Sequence, residues 1–423
     1  DNTLLNRLKR YGGHSALLAR LAKEYAADNK DEFYKKLAKE LGLFKGPLMK
    51  VGQLLSMVPG IIPTEHIATL KELQAQAPPM GPLFVKRRMR GELGDEWADH
   101  FSTFNLTPSA AASIGQVHQG TARNGSSIAI KLQYPNMEGI LESDLNQLKL
   151  LFKLYEYKGG AFLTEAFFEE TKQHLYEEID YKKEIENIKI FQKIFSQYDF
   201  IQIPEVIDSL STKRLLTMSW MLGRPIESTF SKSHDIRKKL TRNLFWAWYY
   251  PLYSQGYLHG DPHSGNFLFT EASDVVLLDF GCVRKFSETF LEGTKLLYQN
   301  LKYKKEASKD IYTLWGFHSL TDELTDTLHQ WSAFLYGPLT ENKAQKINER
   351  YNVETGKKLA HQVLAALKKQ GRVMLPKQFV LMHRAAVGMG AAFIQLDATL
   401  NWQDLFEEML AAATLHQQHH ITR

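Results

Sequence analysis

Through about residue 100, apolar positions recur every three or four residues. LLNRLKRYGGHSALLARLAKEYA and DEFYKKLAKELGLFKG both carry that spacing, which predicts amphipathic helices. MVPGIIP and APPMGP punctuate this segment with prolines. After Pro108 the period shortens to two. SIGQVHQGTARNGSSIAIKLQYP alternates around Asn124-Gly125 and predicts a β-hairpin. Helical spacing returns from Met137 to about Gln197, and FIQIPEVIDSLSTKRLLTMSWM predicts another strand pair. Beyond Gly223 the pattern is mainly helical, interrupted by two short strands in NFLFT and VVLLDFG. The order is a helical segment (1–105), a small sheet-bearing lobe with a helical insertion (106–222) and a large helical lobe (223–423). That is an α+β chain, and no internal repeat or low-complexity tract breaks it.

Composition narrows this only a little. At 423 residues the chain exceeds a typical single domain. Its net charge of +5 does not argue for nucleic acid, and no zinc-finger or RNA-binding signature is present. Cys282 is the only cysteine, so no intramolecular disulfide can form, which fits a reducing compartment. No signal peptide opens the chain at Asp1; a targeting segment removed before that residue stays open. The longest uncharged run, NLFWAWYYPLYSQGYLHG (243–260), holds a central Pro251 and runs straight into Asp261. It reads as a buried helix rather than a membrane span. AAVGMGAAFIQL near the C-terminus is too short to span, and HQQHHITR at the end reads as a frayed tail. The basic cluster VKRRMRGELG (85–94) reads as a solvated helix face, with a membrane or phosphate surface as the alternative.

LHGDPHSGNFLF (258–269) sets two His, one Asp and one Asn among apolar residues. Three readings compete: a polar turn, a metal site on His259, Asp261 and His263, and a phosphotransfer loop. Wider spacing decides between them. Lys131 lies in a strand-like IAIKL, Asn266 follows Asp261 by five residues, and Asp279 opens a DFG triplet after VVLL. Lys on a strand, then Asp-x4-Asn, then Asp-Phe-Gly is the spacing of a kinase phosphotransfer site. Lys131 would hold the α- and β-phosphates of ATP. Asn266 and Asp279 supply the oxygen ligands that Mg²⁺ prefers. Asp261 would orient an acceptor hydroxyl and take its proton. The metal reading weakens, because Gly260 and Pro262 argue against the helix that would align His259 with His263. His259 is expected to brace the loop, and His263 to pack against the DFG segment.

Four stretches go beyond a generic kinase, and together the chain resembles the UbiB/AarF-type atypical kinases of ubiquinone biosynthesis. KGPLMKVGQLLS resembles the KxGQ motif of that family at Lys50, Gly52 and Gln53. PSAAASIGQVHQG resembles its alanine-rich loop, with Ala110, Ala111, Ala112 and Ser113 over the nucleotide. EEIDYKKEIEN resembles its ExD motif at Glu178 and Asp180, and HGDPHSGN with LLDFG resembles its catalytic and metal-binding loops. The resemblance implies a protein-kinase-like two-lobed fold with a helical N-terminal extension over the active site. It implies ATP and Mg²⁺ as cofactors, and a role beside lipid-quinone enzymes. Attachment would be peripheral, at the cytoplasmic face of a bacterial membrane or at a mitochondrial membrane.

The residues add physical detail to the resemblance. Lys50 and Gln53 are three apart and would share a helix face. Alanine restricts the close backbone approach that glycine allows, so this loop should hold nucleotide differently from a glycine-rich one. Glu178, Asp180 and Glu184 lie on one acidic stretch read as helical, on which Asp180 and Glu184 share a face. Glu184 is the expected partner of Lys131, with Glu178 and Asp180 turned toward the Lys50 helix or metal. The linker LTMSWMLGRPI, through Met218 and Trp220, would meet adenine with its backbone. The rival readings are a small-molecule kinase of the choline or aminoglycoside type, which lacks a KxGQ helix, and a catalytically inactive nucleotide-binding scaffold.

Overall fold

The computed structural model describes residues 80–112, 114–157, 165–349, 353–369 and 376–421. Lys50, Gln53 and Ser113 lie outside these residues, as does the KxGQ stretch. Helix α1 (Pro82–Leu93) starts with proline at its first turn, where a missing N–H costs nothing, and stops at Gly94 with φ +88°. It buries Val85 and Met89, four residues apart, against a sheet. That sheet begins with β1 (Phe101–Phe104), β2 (Ala110–Ala111), β3 (Gly115–Ala122) and β4 (Ser127–Gln133).

The predicted hairpin is β3–β4, paired from Gly115↔Gln133 to Thr121↔Ser127. Of Asn124 and Gly125 only the glycine has positive φ, at +85°. Gly125 N–H bonds the Ala122 carbonyl and Ala122 N–H bonds that of Ser126, so the turn is the type I plus bulge form rather than a two-residue one. Both faces of β4 are buried. Ile128, Ile130 and Leu132 face α1, whereas Ala129 and Lys131 face the helices. This places Lys131 on the helix side of the sheet.

Helices α2 (Met137–Tyr157), α3 (Glu165–Glu178) and α4 (Tyr181–Ile194) form the insertion. The acidic stretch read as continuous helix is broken between α3 and α4. Asp180 is the cap of α4, its carboxylate accepting from Lys182 N–H at 3.0 Å, so it does not share a helical face with Glu184. Tyr181, Ile185, Ile188, Phe191 and Ile194 form the buried stripe of α4.

Both strands expected over 200–221 form, in different sheets. β5 (Ile201–Gln202) leaves to pair in parallel with a strand of the large lobe, while β6 (Leu215–Ser219) joins the first sheet beside β4. Helix α5 (His234–Gln255) then carries the uncharged run into the core, with Pro251 inside it and Gly256 closing it at φ +78°. The remainder of that run is β7 (Tyr257–His259). β8 (Phe267–Phe269) and β9 (Val275–Leu277) are the expected short antiparallel pair, and β5 adds to β9. β10 (Val283–Lys285) returns against β7.

Helices α6 (Glu288–Lys302), α7 (Lys309–Leu314), α8 (Asp322–Tyr336), α9 (Val353–Lys369), α10 (Lys377–Leu396) and α11 (Trp402–Ile421) complete the lobe, with β11 (Ala344–Lys346) paired to β12 (Thr399–Asn401). AAVGMGAAFIQL is the second half of α10. Among the described residues α10 alone is long and apolar enough to cross a membrane, but over half of that window is buried inside the lobe. It is a core helix, packed against α5.

Candidate active site

Lys131 reaches from β4 to α4. Its Nζ donates to Glu184 Oε1 at 2.8 Å and Oε2 at 3.0 Å, and to Asp279 Oδ2 at 3.2 Å. Lys131 and Glu184 are buried, while the Asp279 side chain keeps 29% of its surface. Burial alone would push the Lys131 ammonium down; the Asp279 and Glu184 carboxylates overcome it and hold the group well above its ordinary value. The amine is therefore a fixed positive charge between α4 and the Asp279 loop. Its Nζ also lies 5.3 Å from the centre of the Tyr181 ring.

The loop pair below Lys131 is set by strand register. Phe267 pairs with Leu277, which brings Asn266 and Leu278 side by side, and Leu278 N–H donates to the Asn266 carbonyl at 3.0 Å. Asp279 follows directly. Its Oδ1 accepts from Gly281 N–H at 2.9 Å, which shapes the turn of the triplet. Asn266 Nδ2 donates to the Asp261 carbonyl at 3.1 Å, tying the two ends of the HGDPHSGN loop.

His259 is fully buried between these loops. Its Nδ1 accepts from Asp261 N–H at 3.3 Å, so the proton sits on Nε2, which donates to the Asp279 carbonyl. One imidazole thus contacts the backbone on both sides of the site. His263 differs from its expectation. It is exposed, and its ring accepts from Gly265 N–H at 3.0 Å instead of packing on the DFG segment. Among the described residues no group of three or more His, Cys, Asp and Glu has metal-site geometry.

Glu178 ends α3 and is buried beside the triplet: a Cβ placed on Gly281 would lie 3.9 Å from its Cγ, 3.2 Å from Asp279 Oδ1 and 4.0 Å from Glu184 Oε2. Asp180, by contrast, is spent on capping α4. In the linker, the Met218 backbone is paired in the sheet opposite Ala129, and Trp220 N–H donates to the Ser127 carbonyl at 3.0 Å. The Trp220 amide is thus already paired within the sheet. Ala110 and Ala111 form β2, paired against β3, and Ala112 N–H donates to the Gly115 carbonyl at 2.9 Å. Gly115 is obligatory there: a Cβ would come within 2.2 Å of the Leu132 carbonyl and 2.9 Å of the Tyr181 hydroxyl.

Sequence reasoning missed several supports. Asn187 Nδ2 donates to the Phe280 carbonyl at 2.8 Å. His174 on α3 meets the Cys282 thiol at 2.8 Å through Nε2, and Glu178 at 3.3 Å through Nδ1. In the upper lobe, Met80 N–H donates to Gln116 Oε1 at 2.7 Å, Gln116 Nε2 meets His118 Nε2 at 2.9 Å, and His118 Nδ1 meets the Asn105 carbonyl at 2.7 Å. Burial pushes that imidazole down, which suits the neutral form this chain of bonds requires. A single apolar-polar pattern carries no signal for such pairings.

Comparison with known proteins agrees with this geometry. Residues 72–311 match the ABC1 atypical kinase-like domain. The chain is 27% identical over 380 residues to rat "Atypical kinase COQ8B, mitochondrial", covering 88% of this chain and 71% of that protein. It is 26% identical over 388 residues to "Atypical kinase COQ8, mitochondrial" of Saccharomyces cerevisiae, covering 89% and 76%. Against "AarF domain-containing protein kinase 1" of Gallus gallus the identity is 30% over 253 residues, 58% of this chain and 49% of the relative. Among solved structures, that of the Rv3197–erythromycin complex from Mycobacterium tuberculosis superposes with a TM-score of 0.61 at 25% identity, over 92% of this chain and 98% of that one. The ion pair across the lobes, the two loops beneath it and the matched domain place this chain in the ABC1 atypical kinase-like family, the UbiB/AarF-type kinases of ubiquinone biosynthesis, as a kinase-like phosphotransferase or ATPase.

Proposed function

We propose that the chain binds Mg-ATP beneath β4 and turns it over at a membrane surface in support of lipid-quinone biosynthesis. The observation that carries this reading is the three-way contact of Lys131 with Glu184 and Asp279. It fixes a cation where the α- and β-phosphates would lie. The donors fit magnesium: Asp279 offers a carboxylate, and Asn266 has its amide nitrogen turned to Asp261, leaving the hard oxygen for the ion. Bound there, the metal would neutralise phosphate charge. Asp261, held through its own N–H by His259, takes the proton of water or an acceptor hydroxyl. Ala110, Ala111, Ala112 and Ser113 cover the nucleotide, and Glu178 supports the Asp279 turn. Lys50 and Gln53 on the KxGQ segment restrict access by large protein substrates.

Helix α1 supplies a membrane contact. Leu83 and Phe84 are exposed, at 83% and 56%, on the same helix as exposed Lys86 and Arg87. Each such cation contributes about 1 kcal/mol near an anionic bilayer. The chain would then lie peripherally on a bacterial cytoplasmic membrane or, as the names of its relatives say of them, in mitochondria.

Two measurements test the reading. Asp279→Asn should abolish ATP turnover, and unchanged turnover would leave only a scaffold. Vesicles containing phosphatidylglycerol should bind the chain in flotation, and a Lys86→Glu/Arg87→Glu variant should stay in solution. Robust phosphorylation of generic peptides would contradict the restricted access.

A further inference from the structure

Away from the ATP site, the large lobe encloses a second space. A cavity of about 70 Å³, partly open to the surface, lies among α5, α8, α10 and α11. Its lining is almost wholly aromatic and aliphatic, with Trp315, Trp331, Trp402, Phe379, Met382 and Phe393 prominent, and it includes no Asp, Glu, Lys or Arg. Interiors of this kind are normally packed with few voids larger than a water molecule. A space without charged groups gives water few partners and favours an uncharged apolar guest. Its size admits only a few carbon atoms, so a larger guest would insert one end and leave the remainder at the mouth.

Helix α10 is the wall between this cavity and the catalytic loop. Phe379, Met382, His383, Ala386, Gly390 and Phe393 recur at helical spacing along the cavity side. On the opposite side Gly388 sits against Pro262, the residue after Asp261. A Cβ at Gly388 would lie 2.2 Å from Pro262 Cγ and 2.9 Å from its Cβ, so backbone rests directly on the proline ring. Close-packed contacts of this kind transmit displacement instead of absorbing it.

We propose that this cavity takes the end of an uncharged hydrocarbon tail, and that its occupancy is felt at Asp261 through α10. The site is separate from the nucleotide cleft, so its occupancy is read without ATP. Three of the seven tryptophans line it. A bromine-tipped dodecanol should therefore quench tryptophan fluorescence saturably. Competition by unbrominated dodecanol and by farnesol separates a straight chain from a prenyl chain as the favoured tail. Ala386→Phe, which fills the space, should remove the saturable quenching while ATP binding persists. A diazirine-tipped alkyl alcohol on the wild-type chain should cross-link to α5, α8 or α10, which keeps the test valid if that variant fails to fold. Saturating tail should change wild-type ATP turnover by roughly twofold or more and leave Ala386→Phe unmoved. Linear, unsaturable quenching, or cross-links scattered over the surface, would overturn the site. Saturable binding with unchanged turnover would overturn the link to Asp261. Absence of turnover both with and without tail would instead count against the ATPase reading, on which the link to Asp261 rests.

Discussion

Lys131 and Glu184, 53 residues apart, share two hydrogen bonds of 2.8 and 3.0 Å in the buried space between β4 and α4. Burial disfavours the charged form of each group, and the opposite charge beside it favours that form. Removing one partner from such a pair costs about 3–5 kcal/mol, because the other charge is left without compensation. Lys131 keeps Asp279 at 3.2 Å, so Glu184→Ala should fall at the lower end of that range. Thermal unfolding should show this loss, and ATP turnover should fall at least tenfold. Glu184→Gln retains an acceptor and should recover stability more than turnover.

His259 joins the Asp279 carbonyl to the Asp261 amide. His259→Ala leaves both without that imidazole, at about 1–3 kcal/mol for each buried group left unsatisfied. The expected result is a lower unfolding temperature together with a weaker magnesium requirement curve, measured as turnover against metal concentration. Intact metal dependence would show that the loops hold their positions unaided.

Two glycine substitutions should move stability in opposite directions. Gly388→Ala forces methyl against Pro262 and should cost about 1–3 kcal/mol by overpacking, with a drop in kcat. Gly91→Ala, within α1, meets nothing within 4 Å and should gain up to about 1 kcal/mol from helix propensity. Calorimetry of the two variants beside wild type checks both signs.

His383, partly buried in the cavity wall, has its imidazole pushed down to about 4 by loss of solvation. Its ordinary value is near 6.5, so the unfolded chain takes up a proton before the folded one does. Stability from this group is complete above about pH 6.5 and is lost as the pH falls toward 4. Denaturant titrations from pH 4 to 7 should show that slope, and His383→Leu should flatten it.

Much of the site was legible in the sequence because its chemistry is spaced along strands and tight loops. Lys131 alternates with apolar neighbours on β4, and Asn266 and Asp279 flank a strand pair whose register follows from its own pattern. Glu184 was legible from charge on a periodic stretch. The break before Asp180 was not, since EEID scores as helix until the cap geometry is known. The bond of Trp220 N–H to Ser127 was not legible either, because strand pairing extends past the apolar run. The sheet that β5 joins was not legible, because Ile201 pairs with the distant Val275, and the exposure of His263 carries no local signal. The seat of Gly388 on Pro262 is wholly tertiary, and no local periodicity announces it.

Cys282 lies one residue past the DFG triplet, buried, with its thiol against His174 and its carbonyl accepting from Gly260 N–H at 2.6 Å. Because it is the sole cysteine, alkylating reagents have a single target, and they meet it only when this loop lifts from α3. The speed of labelling then clocks the opening of the metal-binding turn. Ligands that clamp that turn should slow the clock, which gives a chemical stopwatch for motions of the site that needs no substrate to be known.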